Sequence, residues 1–343
     1  MPPWLTSEVA RSLAGPWGGA VETLVFGPEP LPEQIVAAVG AACVDTCGAE
    51  LVDGFLYAVS VGCVFGCGLT DGRRVVLKAY QSRWTVPFLE AVREVQSAVH
   101  RAGGFPCPEP LGDVVTVGRT LFVAERELPD PGVRVPDAGC AGVSAAGLAE
   151  LIGRCRDLDA PGLALHPLRD PSEGLFPEPH SPIFDFEGTA AGAEWIDELA
   201  RRAVAITAVD DSPDVIAHTD WAARNVRIDR GEIVAVYDWD SLALVKECIA
   251  VASAAVTWCK TGEPDEHTPT ADEIDAYISA YEAARRGAPS PSLGRLSRAA
   301  AVRSMAYTAR CEHALDPSER RWTSTRARLR SDADALLSPA SRS

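Results

Sequence analysis

Residues 51–126 are glycine-punctuated and alternate like strands, whereas almost every segment after them has helical spacing; this change of texture limits the possible folds most. The stretch "LVDGFLYAVSVGCVFGCGLTDGRRVVLKAY" reads as three antiparallel strands over 51–61, 63–69 and 73–80, with Asp71-Gly72 as a two-residue hairpin signal. Residues 86–102 follow with helical spacing in Phe88, Val92, Val95 and Val99. Two more strands are expected at 114–117 and 120–124, around a Gly118-Arg119 turn. A helix over 31–48, ending at Gly48, precedes the strands, and residues 1–30 are loosely patterned. Helices are expected at 144–156, 189–206, 246–259, 271–286, 293–315 and 317–337, and 159–182 reads as a Pro/Gly-rich loop. The layout is α+β: an N-terminal extension and helix (1–50), a small β-rich lobe with one helix (51–128) and a larger helical lobe (129–343). The boundary is placed at 129–132.

Charge and cysteine usage exclude several classes. The net charge of −16 and the absence of a Lys/Arg stripe speak against nucleic acid. No apolar run reaches the ~18 residues of a membrane span, and "MPPWLTSEVARSLAG" lacks the basic and apolar regions of a signal peptide, so a cytoplasmic protein is expected. Of the ten cysteines, Cys43 and Cys47, and Cys63 and Cys67, are four apart, unlike the two-residue gap of zinc ribbons; they read as small buried hydrophobes in a reducing compartment. Acidic residues crowd 263–275, a candidate surface for a cation or simply a solvated loop and helix start. The stretch from Arg321 to Arg330 is basic, which counts against a cation-binding C-terminus.

One polar cluster stands out. "VIAHTDWAARNVRIDRGEIVAVYDWDSL" places His218, Asp220, Asn225 and Asp238 among apolar runs, and Asp229-Arg230-Gly231 marks a hairpin between the last two runs. Asn225 is the only asparagine in the chain, and Lys78, Lys246 and Lys260 are the only lysines. An asparagine oxygen suits a hard cation such as Mg²⁺, although Asn225 alone could also serve a turn. Phosphoryl transfer needs such parts: a carboxylate to take the hydroxyl proton, oxygen ligands for Mg²⁺, and a lysine on the nucleotide phosphates. Lys78 lies in the third strand, where it is either that lysine or an edge-strand charge that blunts pairing.

His218-x-Asp220-x4-Asn225, with Asp238 thirteen residues later and the strand Lys78 upstream, resembles the aminoglycoside phosphotransferase and choline kinase group of the protein-kinase-like fold. The resemblance spans roughly 51–260. It implies a bilobal fold, with ATP and Mg²⁺ as cofactors. It implies that Asp220 is the catalytic base, that Asn225 and Asp238 hold Mg²⁺, and that Lys78 binds phosphate with Glu94, or failing that Glu90, as its ion-pair partner. It implies that "FVAERELP" meets the adenine through backbone groups of Ala124, Glu125 and Arg126, and that His218 braces the loop. Departures are Thr219 where glycine is usual, Arg224 before the asparagine, and a poor glycine-rich loop at 60–66, where Gly62 and Gly66 could equally belong to a plain turn. Asp240 is either a helper to the metal or a turn cap. The expected function is ATP-dependent phosphorylation of a hydroxyl on a small molecule, an aminoglycoside or other hydroxylated natural product. The alternatives are a choline, homoserine or sugar kinase, or a non-catalytic nucleotide-binding module.

Overall fold

The computed structural model describes every residue except 1, 16–18, 129, 131, 133–135, 168–173, 180, 182, 264–265, 288–289, 319–323 and 339–343. Residues 129 and 131 of the expected boundary, and Arg321, lie outside the described residues. The chain divides into two compact units: residues 1–129 with 160–167, and residues 130–159 with 168–343. No described helix is long and apolar enough to cross a membrane.

The first unit contains helices α1 (Pro3–Leu13), α2 (Ala20–Phe26), α3 (Pro32–Cys47) and α4 (Val86–Ala102), with strands β1 (Leu51–Val59), β2 (Cys63–Leu69), β3 (Arg74–Tyr80), β4 (Pro110–Val117) and β5 (Thr120–Arg126). The strands form one antiparallel sheet in the order β1-β2-β3-β5-β4. One sheet face is apolar: Val75, Leu77, Ala79, Phe122 and Ala124 pack with Phe65 and Cys67 against Leu5, Val9, Ile35, Val39 and Cys43. Residues 1–30, which carry little sequence pattern, thus hold two helices whose buried side chains Leu5, Val9 and Val25 cover this face. Gly112, at φ +56, lies so close to Thr46 that a Cβ there would sit 2.0 Å from its carbonyl oxygen, so β4 meets the end of α3 backbone to backbone. The cysteines are all free thiols; Cys43 and Cys67 pack together in this core, and burial pushes the Cys63 thiol up.

Helix α4 shows why its limits were readable. Thr85 caps it, its hydroxyl accepting from the Phe88 N–H at 3.4 Å, and Gly103 ends it in a positive-φ conformation. Its buried stripe is Phe88, Leu89, Val92, Val95, Gln96 and Val99. A 3-10 turn at Pro161–Leu165 packs on α4, with Gly162 against the Pro87 carbonyl and His166 edge-on to Phe88 at 5.2 Å.

The second unit contains α5 (Ala138–Cys155), α6 (Glu194–Thr207), α7 (Glu247–Thr257), α8 (Ala271–Ala284), α9 (Leu293–Leu315) and α10 (Ser324–Leu337). Helix α9 runs through the middle, packed against α6, α7, α8 and α10. Two small antiparallel pairs sit among the helices: β6 (Asp214–His218) with β9 (Leu242–Lys246), and β7 (Val226–Asp229) with β8 (Glu232–Val236). The segment 242–246, expected to lead into a helix beginning at 246, is instead strand β9. Its continuous apolar run "LALV" fits either state by pattern alone, and pairing with β6 decides it. The β7–β8 turn is Arg230-Gly231, with φ +51 and +81, the left-handed pair a tight hairpin requires.

Candidate active site

The catalytic-loop candidates of the second unit converge. Strand β6 ends at His218, the chain makes a tight turn through 219–225, and β7 and β8 carry it out and back to Asp238. Asn225 donates its amide to Asp220 twice, to Oδ2 at 2.8 Å and to the backbone oxygen at 2.9 Å. Arg224 reaches the other carboxylate oxygen of Asp220 at 2.5 Å. The Tyr237 N–H donates to the Asn225 carbonyl at 2.8 Å, which fixes Asp238, the next residue, beside Asn225. His218 is fully buried and its Nε2 lies 2.9 Å from the Tyr237 oxygen, so it ties the end of β6 to the end of the β7–β8 hairpin. Asp238 itself is in the left-handed region at φ +62, an uncommon conformation for a residue with a side chain, and its Oδ2 accepts from the Ser241 hydroxyl at 2.9 Å.

The departures from the group's pattern have local explanations. Thr219 is not in the left-handed region, so no glycine is needed there. Its hydroxyl and N–H both donate to the Ser241 carbonyl at 2.9 Å, tying the turn before Asp220 to the one after Asp238. Asp240 lies in the 3-10 turn Trp239–Ser241.

Two residues important to this loop had no motif to announce them. Trp221 is fully buried, and its indole donates to the Ser144 carbonyl at 3.0 Å and hydroxyl at 3.1 Å on α5. Arg227 donates to the Ala223 and Arg224 carbonyls at 2.7 and 2.6 Å, closing the turn through 219–225. It also pairs with Asp130 at 2.9 Å; burial works against that carboxylate, but the guanidinium outweighs it and holds Asp130 below the usual carboxylate range. An arginine within an apolar strand run was the only sequence signal.

In the first unit, Lys78 lies in β3, the middle strand of five, opposite Val64 and Val123. It is 7% exposed, so it is not an edge-strand charge. The structure does not bring Glu94 to it. Glu94 and Glu90 both lie on the exposed side of α4, and neither makes a hydrogen bond or ion pair with Lys78. The phase of the helix explains this: the apolar stripe turns Gln96 inward, and Glu94, two residues and about 200° away, faces out.

Ala124, Glu125 and Arg126, expected at the adenine, lie in β5. β5 is flanked by β3 and β4, with Ala124 opposite both Leu77 and Leu111, and Arg126 N–H is spent on the Glu109 carbonyl at 2.8 Å. Glu127 N–H is bonded to Arg74, so Leu128 is the first residue past the ladder with no backbone bond among the described residues. The β1–β2 connection is a tight turn, Ser60 N–H to Gly62 carbonyl at 3.0 Å. Gly66 lies inside β2, where a Cβ would strike Phe55 and Leu56, so its smallness serves packing.

Among the described residues no three His, Cys, Asp or Glu side chains form a metal-holding group. The donors at hand are two hard oxygens, the Asn225 amide oxygen and the Asp238 carboxylate. With its nitrogen committed to Asp220, Asn225 has its oxygen left as the acceptor. That pair fits Mg²⁺, which is held by few protein oxygens together with nucleotide phosphates and water.

No curated protein matches the sequence. Among solved structures, the amicoumacin kinase hAmiN, in complex with AMP-PNP, Ca²⁺ and Ami, shares 10% identity over 89% of this chain and 95% of its own, with a TM-score of 0.55. A fructosamine-3-kinase assignment from Thermobifida fusca shares 15% identity over 87% of this chain and 98% of its own, with a TM-score of 0.52. A thermostable aminoglycoside phosphotransferase APH(4)-Ia in ternary complex with ADP and hygromycin B shares 15% over 88% and 98%, with a TM-score of 0.50. At these identities the likeness is one of fold, the protein-kinase-like fold. A family model described as the phosphotransferase enzyme family matches residues 65–289. With more than half of its length in that match, the chain belongs to the phosphotransferase enzyme family and is a small-molecule phosphotransferase.

Proposed function

We propose that the protein transfers the γ-phosphoryl group of ATP to a hydroxyl of an aminoglycoside or other hydroxylated natural product. The observation that carries this reading is the loop in which Asn225 fixes the Asp220 carboxylate and backbone bonding sets Asp238 beside Asn225. Asp220 accepts the proton of the acceptor hydroxyl as its oxygen bonds to the γ-phosphorus, and the bridging oxygen leaves with ADP. Asn225 and Asp238 hold Mg²⁺, whose charge offsets that of the phosphates. Lys78 binds phosphate, and Leu128, just past the ladder, is where backbone groups are available for adenine. The nucleotide and natural-product ligands of the structural relatives support the same classes here.

The test is mass spectrometry of aminoglycosides, other hydroxylated antibiotics, choline, sugars and nucleosides, each incubated with protein and Mg-ATP beside Asp220→Ala. A product made by the wild type alone establishes transfer and names the acceptor class. Transfer that persists in Asp220→Ala overturns the assigned chemistry.

The metal assignment makes its own prediction. Asp238→Ala is expected to raise the Mg²⁺ concentration needed for nucleotide binding by more than the ~10–100-fold that even an outer-shell partner costs. Calorimetric titration of ATP at several Mg²⁺ concentrations measures it. An unchanged Mg²⁺ requirement removes Asp238 from the metal site.

A further inference from the structure

Lys78 is buried in mid-sheet, and the helix glutamates expected to face it point to solvent. A buried ammonium needs a carboxylate held in good geometry, or it is costly to keep charged. The register shows where one lies. Lys78 is opposite Val123, and Val76 is opposite Glu125. Lys78 and Glu125 are therefore diagonal neighbours on one face of the sheet, the face opposite the Leu77–Phe122 core. Such neighbours have Cα atoms ~7–8 Å apart, within reach of two long side chains. Glu125 is itself only 7% exposed. Gln96, 3% exposed on the inward stripe of α4, donates to Glu125 Oε2 at 3.1 Å and to the Pro108 carbonyl at 3.2 Å.

We infer that Glu125 on β5, tethered by Gln96, is the carboxylate that orients Lys78 for the nucleotide. The pair is thereby built within the sheet and does not depend on a glutamate of α4. Glu125 is a positioning residue, since it acts through Lys78.

The inference rests on the ATP reading above, and the test separates the two. Binding of AMP-PNP with Mg²⁺ is measured by calorimetry on the full chain for wild type, Glu94→Gln, Glu125→Gln, Lys78→Met and the Lys78→Met/Glu125→Gln double variant. Glu125→Gln is expected to weaken binding by about tenfold or more, the scale of a lost close charge pair. Glu94→Gln is expected to bind like wild type. In the Lys78→Met background Glu125→Gln is expected to add nothing, because its effect passes through the lysine. A general packing defect would instead add fully in both backgrounds. Should Glu125→Gln not fold, Gln96→Leu carries the same cycle, releasing the carboxylate while keeping it. Wild-type affinity in these variants, additive effects, or a loss seen with Glu94→Gln overturns the role of Glu125. Absence of AMP-PNP binding by the wild type overturns the ATP reading, and this inference with it.

Discussion

Replacing Asp220 by Asn is expected to leave a folded protein whose phosphoryl transfer is slower by ~10²–10⁴-fold, the range a positioned general base contributes. The two parts of this expectation have separate grounds. An asparagine keeps a carbonyl oxygen where Asn225 donates, so the turn retains one of its closing bonds. The lost ion pair with Arg224 is partly exposed, 41% and 31% for the two side chains, and such pairs contribute ~1 kcal/mol or less. The catalytic effect should therefore far exceed the change in stability. Transfer rate and thermal unfolding measured on the same preparation check both; a wild-type rate with the amide in place would remove Asp220 from the role of base.

The second large effect is on stability. Trp221 is fully buried immediately after Asp220, and it ties the turn through 219–225 to α5 through Ser144, whose hydroxyl lies 3.2 Å from the buried Tyr277 hydroxyl on α8. His218 packs edge-on against the indole at 5.7 Å. Trp221→Ala is expected to cost ~3–5 kcal/mol, as for other large aromatic truncations in cores. Against a typical total of ~5–15 kcal/mol this is a large fraction. Trp221→Phe keeps most of the volume and removes only the indole hydrogen bonds, for which ~1 kcal/mol each is expected. Urea unfolding of the two variants measures the difference. An alanine variant within ~1 kcal/mol of wild type would mean that Ser144 and Tyr277 do not anchor the loop.

Much of this was legible in the sequence, for identifiable reasons. The β7–β8 hairpin announced itself through Asp229-Arg230-Gly231, because few residues tolerate two left-handed conformations in a row. Helix α4 was readable to the residue because its stripe and both ends carry separate signals. The Asp220, Asn225 and Asp238 cluster was readable because short-range spacing fixes it. What was not legible depends on distant partners. α1 and α2 are short, and their apolar residues gain burial only against a sheet formed later in the chain. β9 is strand only because β6 lies beside it. The Glu94 expectation used spacing but not helix phase, and phase is set by which stripe meets the sheet.

The close approach of Gly112 to Thr46 bears on where this protein can be cut. The family match begins at residue 65, inside β2, and suggests that what precedes it is dispensable. Physically it is a lid glued to the sheet: Leu5, Val9, Ile35 and Val39, each no more than 1% exposed, seal the face that holds Leu77 and Phe122. Trimming to Leu51 would lay that face open to water, a contiguous greasy surface of the kind that drives self-association. Such a shortened chain is expected to sediment as aggregates while the full chain stays dispersed. The first fifty residues are therefore part of what keeps the first unit dispersed in water.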